Sequence, residues 1–213
     1  MLGKAQNEAP PSIAQDRRTR RREATKAEIL DAAWDLVREH GLAALALRDL
    51  AARVGMRAPS LYQYFDSKHA IYDAMFAQGW RQALDAFITD TDIPGTREAL
   101  LYAARSMFEF ATSDPARNQL MFQRTIPGFE PSPESYAPAI EMFAHMQDLL
   151  AMHGITDPDA MDLWTALISG LTSQQLANDP GGTRWERLIE RTVDMYLAQV
   201  APPARPRQRE GTK

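Results

Sequence analysis

Residues 47–65 read LRDLAARVGMRAPSLYQYF, and the reading of this stretch decides the fold. Leu47, Leu50, Ala51 and Val54 recur at the spacing of one helical face, which predicts a short helix over 47–54. Gly55 stops it, because glycine enters the left-handed conformation of a sharp helix-ending turn without a steric cost. Pro59 suits the first turn of a third, very short helix. There Leu61 and Phe65, at i and i+4, face inward, and Ser60, Gln63 and Tyr64 face outward. Tyr62 and Tyr64 each admit two readings, a core ring or an exposed recognition ring.

Helical signals extend on both sides. TKAE, residues 25–28, has the form of a capping box with Thr25 as N-cap. Ile29, Ala33, Leu36 and Val37 then mark one face of a helix that Gly41 ends. Downstream, Ser67 is the expected cap of a long helix, and TDTDIPGT at 89–96 breaks the pattern. Further helices are expected from Arg97, from Asp114-Pro115, from Ser132-Pro133 to Gly154, and from Asp157-Pro158 to about Leu176. A second capping box, TRWE with Thr183 and Glu186, opens the last helix, which ends near Val200. No alternating strand pattern, repeat or glycine-rich phosphate loop is present, so the expected fold class is all-α. The expected organisation is a disordered basic arm at 1–24, a three-helix module with a connecting helix at 25–88, a larger helical domain at 89–200 and a disordered tail at 201–213.

Composition narrows the chemistry. The 213 residues include no cysteine, which removes disulfides, thiol catalysis and cysteine metal sites. No stretch approaches the roughly 20 apolar residues of a membrane span, and no apolar signal-peptide core opens the chain; a cytoplasmic protein with no membrane partner is expected. The net charge of −4 is unevenly spread: residues 1–70 carry 12 Lys and Arg against 9 Asp and Glu, and the remainder 12 against 19. A basic front on an acidic body fits a nucleic-acid-binding module joined to something else. Arg17, Arg18, Arg20, Arg21 and Arg22 crowd one run, read either as a solvated arm or as one that follows DNA phosphates.

Two short helices joined by a glycine turn, with a supporting helix before them, form a helix-turn-helix, whose second helix enters the major groove. Gln63 can pair bidentately with adenine, and a tyrosine can reach a phosphate or a thymine methyl. Over roughly residues 25–75 the pattern resembles the DNA-binding domain of the TetR family of bacterial regulators. An alanine-rich helix, Gly-apolar, SLYQYF and then DSKHAI carry the likeness. The resemblance implies that Arg48 meets a base or phosphate, that Tyr62 and Lys68 meet phosphates, and that Ser60, Gln63 and Tyr64 face the groove. Three positions depart from the family pattern. Ala46 stands where Ser or Thr is common, Arg57 replaces a small capping residue and adds a further contact to DNA, and Ala58 is a short apolar start.

In the larger domain the resemblance implies ligand binding and dimerisation. Ala166, Ser169, Gly170 and Ser173 gather small side chains on one helical face; with Leu188, Thr192 and Tyr196 of the last helix they form the expected homodimer seam, packing within one chain being the other reading. Met107, Phe108, Phe122, Met142, Met146 and Trp164 are the expected lining of a pocket for an apolar effector, ordinary core packing being the other reading of each. Glu141, His145 and Asp148 share a face, a pattern common on solvated surfaces, and no metal site, cofactor or catalytic constellation is expected. The expected function is a transcriptional regulator, a repressor that binds double-stranded DNA as a dimer and is released by a small molecule. The alternatives are a helical small-molecule-binding protein or enzyme that no longer reads DNA, and a regulator controlled by a protein partner.

Overall fold

The computed structural model describes residues 13–87 and 93–200. Among these it contains nine α-helices, two 3-10 turns and no strand, the all-α class expected. The chain divides into two compact units at Met75 and Phe76.

The first unit holds α1 (Ile13–His40), a 3-10 turn (Leu42–Ala44), α2 (Leu47–Arg53), α3 (Ala58–Leu61) and the start of α4 (Lys68–Phe87). α2 packs on both α1 and α3. The buried set follows the apolar spacing: Ile29, Ala33, Leu36 and Val37 on α1, Leu50 and Ala51 on α2, Leu61 and Phe65 around α3, and Ile71, Tyr72 and Met75 on α4. Gly55 has φ 67, and the Met56 N–H returns to the Ala51 carbonyl at 2.8 Å, closing α2 with the left-handed turn that lets α3 follow at once. Ser67 caps α4 as expected, its Oγ accepting from the Ala70 N–H at 3.0 Å.

The first helix corrects the sequence reading. Thr25 is not its N-cap: α1 begins at Ile13, and the Thr25 hydroxyl donates to the Arg21 carbonyl at 3.1 Å. A threonine inside a helix satisfies its hydroxyl in this way, so the capping signal competes with helix continuation. Arg20 and Asp16 pair across one turn at 2.9 Å. Residues 13–24, expected as disordered arm, are therefore helical. The rest of that arm, residues 1–12, part of the expected break at 89–92 and the tail at 201–213 lie outside the described residues.

The second unit contains the rest of α4, α5 (Thr96–Ser113), α6 (Pro115–Phe122), α7 (Pro133–Met152), α8 (Ala160–Asn178), a 3-10 turn (Glu186–Leu188) and α9 (Ile189–Val200). Asp114 and Ser132 cap α6 and α7, accepting from the Arg117 and Ser135 N–H groups. α5, α8 and α9 pack together around Leu100, Ala104, Phe108, Trp164, Ile168 and Tyr196. Gly79 of α4 permits a close approach to α6, since a Cβ there would stand 2.9 Å from Met121 Sδ.

Thr183 does not cap the last helix either. Gln175, 2% exposed on α8, organises the turn before α9. Its amide donates to the Asp179 and Gly182 carbonyls, and its Oε1 accepts from the Trp185 N–H at 2.9 Å. Asp179 Oδ2 takes the Arg184 N–H at 2.8 Å. These bonds satisfy backbone groups that a capping box would otherwise serve.

Two tyrosines carry a pH signature. Burial pushes the phenol of Tyr72 up to about 12; its hydroxyl donates to the Leu42 carbonyl. Burial first, and then the Asp157 carboxylate, push Tyr196 up to about 12; its hydroxyl donates to the Ala160 carbonyl at 3.0 Å. An unfolded tyrosine ionises near 10. Between pH of about 10 and about 12 the unfolded chain therefore sheds protons that these two phenols keep when folded, and stability falls as pH rises through that window. An alkaline absorbance titration of the six tyrosines should show two late phenols, and Tyr72→Phe should remove one of them. A Tyr72→Phe titration identical in its late phase to wild type would contradict the burial assigned to this hydroxyl.

Candidate nucleic-acid interface and ligand cavities

α3 has four residues, far fewer than an isolated helix needs in water. It persists because Leu61 (1% exposed) and Phe65 are buried on its inner side, each such burial stabilising by roughly 1.5–3 kcal/mol. That anchoring fixes the opposite face. Tyr62, 53% exposed, and Gln63 stand in solvent, and Ser60 and Tyr64 are half-buried beside them. Arg57, exposed, occupies the N-cap position of α3 with extended backbone and no side-chain cap bond. The structure thus brings Arg57, Ser60, Tyr62, Gln63 and Tyr64 together on α3, its N-cap and the turn that follows it.

Arg48 lies at the start of α2, almost fully exposed, with Nε 3.4 Å from its neighbour Asp49, a surface contact that leaves the guanidinium available. Lys68 is more constrained than the sequence indicates. Its ammonium donates to the Ala43 carbonyl at 3.3 Å and sits 5.4 Å from the Tyr72 ring centre. An ammonium has three N–H donors, so this tie positions the charge without exhausting it. The helical extension of α1 adds a contact that the sequence reading missed: the Arg22 guanidinium lies over the Tyr64 ring, 5.2 Å from its centre. Arg22, the last of the arginine run, is thereby part of the same surface as Tyr64. Arg53 and Glu39 fasten α2 to α1 by two bonds, at 2.9 and 2.5 Å. The Arg53 guanidinium holds the Glu39 carboxyl below its ordinary range.

Two of the cavities in the second unit differ in chemistry. One, of about 340 Å³, lies between α4, α5 and α7 and is lined by Phe87, Ala99, Tyr102, Met142, Met146 and Leu149 among others. His145 and Asp148 are its ionisable side chains besides Tyr102, and no Lys or Arg lines it. The other, of about 250 Å³, lies between α4, α6 and α7. Trp80 stands at its centre, with ring centres of Phe122 at 5.2 Å, Phe143 at 5.6 Å and Phe76 at 6.3 Å; Tyr136 stacks on Phe76 at 5.8 Å.

The six expected pocket residues do not share one site. Met142 and Met146 line the first cavity and Phe122 the second. Met107 joins Phe122 in a cleft between α5, α6 and α8. Trp164 and Phe108 belong to the α5–α8–α9 core: Trp164 is 1% exposed and packs edge-on to Tyr196, so neither is placed on the first cavity. Tyr196, expected at a dimer seam, is likewise a core residue of its own chain, 1% exposed. The small-residue face of α8 does stand open. Ala166, Gly170 and Ser173 are exposed, Ser169 is half-buried, and a Cβ on Gly170 would meet nothing within 4 Å. Leu188 and Thr192 are half-buried, and Met195 of α9, which the sequence reading overlooked, is 61% exposed.

Together these features define a class: an all-helical protein with a helix-turn-helix unit and a separate, cavity-bearing helical unit. The sequence model described as "Bacterial regulatory proteins, tetR family" matches residues 29–75, so the first unit is similar to the DNA-binding domain of that family. Relatives agree. The chain is 25% identical over 119 residues to the HTH-type transcriptional regulator Rv1816 of Mycobacterium tuberculosis, covering 54% of this chain and 51% of that protein. It is 32% identical over 109 residues to the HTH-type transcriptional activator FasR of Mycolicibacterium smegmatis, covering 48% and 47%. The chain therefore spans about half the length of the curated relatives it matches. The crystal structure of the regulatory protein SCO4313 superposes with a TM-score of 0.70 at 25% identity, over 84% of this chain and 98% of that one. Among the described residues no helix is long and apolar enough to cross a membrane.

Proposed function

We propose that the protein is a homodimeric transcriptional regulator that holds a pseudo-palindromic operator with two copies of α3 and releases it when an apolar small molecule enters the α4–α5–α7 cavity. Repression follows from that logic. The observation that carries the reading is the polarity of α3: Leu61 and Phe65 are buried, and Tyr62 and Gln63 stand exposed on the other side, within a tetR-type domain. Gln63 reads a base edge, Arg57, Ser60 and Tyr64 line the groove face, and Arg48, Tyr62 and Lys68 grip phosphates. One such helix covers few base pairs. Two copies, one duplex turn of about 34–36 Å apart, supply specific affinity. DNA binding places the protein in the cytoplasm with the chromosome.

The open small-residue face of α8, with Leu188 and Thr192, supports the seam of that dimer; Tyr196 takes no part in it. The first cavity suits an uncharged apolar effector, since its lining is dominated by methionine, leucine and aromatic carbon. Activation instead of repression is favoured by one observation, that the 32% identical relative FasR is named an activator. Selection of bound sequences from random DNA, followed by transcription in vitro from a promoter bearing the enriched site, tests the proposal. No enriched palindrome would defeat it, and raised transcription would favour activation.

Gln63→Ala should lose discrimination at one base pair per half-site, by roughly 1–3 kcal/mol. Lys68→Ala should weaken all sequences alike and lower the salt slope by about one per protomer. Binding measured across single-base operator variants and several salt concentrations separates the two, and a shared change of preference at one base would show the docking to be wrong.

Gly170→Leu meets no obstruction within one chain and gains roughly 1 kcal/mol of helix propensity there. At a close helix–helix seam the same side chain overpacks by about 1–3 kcal/mol. Sedimentation should therefore show monomers at concentrations where wild type is dimeric, with thermal stability of the isolated chain retained. A full-affinity, dimeric variant would remove the seam from α8.

Met146→Trp, which fills the first cavity, should abolish release of DNA by apolar compounds and leave DNA affinity within about twofold, since only differential binding moves the equilibrium. An unchanged response in a fluorescence-polarisation release assay would place the effector elsewhere.

A further inference from the structure

The aromatic cavity between α4, α6 and α7 has no part in the function proposed above, yet it is furnished for a ligand of a different kind. Phe76, Trp80, Phe122, Phe129, Tyr136 and Phe143 all line it. Phe122 and Tyr136 remain 40% and 43% exposed, so aromatic surface is left open at the cavity. Two unspent polar groups accompany the rings. The Trp80 indole N–H is buried with no hydrogen-bond partner, although buried donors are almost always paired. Arg124, the one charged residue of the lining, is exposed and has no carboxylate partner among the described residues. Three other arginines of this unit are engaged: Arg97 with Asp194, Arg105 with Glu190, and Arg117 with Gln82 and the Phe110 carbonyl.

We infer that this cavity is a second binding site, one that takes a planar aromatic carboxylate, its ring among the six aromatic side chains and its carboxylate on Arg124. A guanidinium presents two parallel N–H donors that match a carboxylate edge. The Gln123 side-chain amide, also in the lining, offers a further donor. Offset and edge-on ring contacts favour a flat ligand. The volume of about 250 Å³, at the small end of ligand cavities of roughly 300–1,000 Å³, favours one or two fused rings. A cationic aromatic is disfavoured by Arg124 and finds no carboxylate in the lining. The first cavity has the opposite bias, with Asp148 and no Lys or Arg, so the two cavities sort ligands by charge.

The test is calorimetric titration of the full chain with 2-naphthoate and with its neutral isostere 2-naphthamide. The acid should bind at least about tenfold more tightly, the scale of a hydrogen bond to a charged group. Arg124→Gln, a change at an exposed position, should erase that preference and leave 2-naphthamide affinity within about twofold. Phe143→Ala should weaken both ligands. Met146→Trp, which fills the other cavity, should change neither, so this site stands or falls separately from the effector cavity. Equal affinity for acid and amide, an undiminished acid preference in Arg124→Gln, loss of acid binding in Met146→Trp, or no binding at millimolar ligand would each overturn the inference.

Discussion

A helix of four residues has too few internal hydrogen bonds to hold itself together, and α3 exists only because Leu61 and Phe65 are locked into the core of the first unit. Every feature around it serves that anchoring. Gly55 turns the chain tightly enough for α3 to fall back on α2, Pro59 sets the backbone of its first turn, and Ser67 begins the next helix directly afterwards. The inner contacts consume the apolar side chains. The outer face is then left to Tyr62 and Gln63, whose backbone is held by the burial of Leu61 and Phe65 and by N–H bonds to the Ser60 carbonyl. The exposed face is a by-product of packing: loosening Leu61 would disperse it before it touched any exposed residue.

The same locality explains what the sequence disclosed. Spacings of three and four residues, a glycine stop and a proline start are short-range signals, and they placed α2, α3, the Asp114 and Ser132 caps and the Ser67 cap. Both capping boxes failed because a cap competes with alternatives beyond four residues. At Thr25 the chain stays helical upstream, and the hydroxyl is satisfied by the Arg21 carbonyl. At Thr183 the backbone groups are taken by Gln175 and Asp179, from the end of α8 and the turn after it. Neither outcome is encoded in the four residues of the box.

Site residues divide along the same line. The candidates at Arg57, Ser60, Tyr62, Gln63 and Tyr64 lie close together in the structure because α3, its N-cap and the turn after it carry them within eight consecutive residues. The pocket residues come from several helices, and a methionine or tryptophan on an apolar stripe does not state which neighbour it meets. Trp164 and Tyr196 meet each other, whereas Met142 and Met146 reach a cavity. Small residues were more informative than large ones. The open face at Ala166, Gly170 and Ser173 followed directly from the helical register, because little side chain is present there to fill the space.

Charge pairing gives the second unit its remaining order. Arg97 with Asp194 and Arg105 with Glu190 join α5 to α9 at the surface. Exposed pairs of this kind contribute little stability, but they neutralise charges that would otherwise compete for a charged ligand. Arg97 shows the engagement directly: the Asp194 carboxylate raises its proton affinity, and Arg97 in turn holds the Asp194 carboxyl below its ordinary range. Arg124, by contrast, lies in the lining of the aromatic cavity with no carboxylate partner among the described residues. The first cavity, bounded by Asp148 and without Lys or Arg in its lining, admits neutral apolar matter on equal physical grounds. If ligand binding is coupled to DNA, each cavity contributes only through the difference in affinity it shows between two states of the protein, and the opposite charge of their rims makes those differences respond to different molecules.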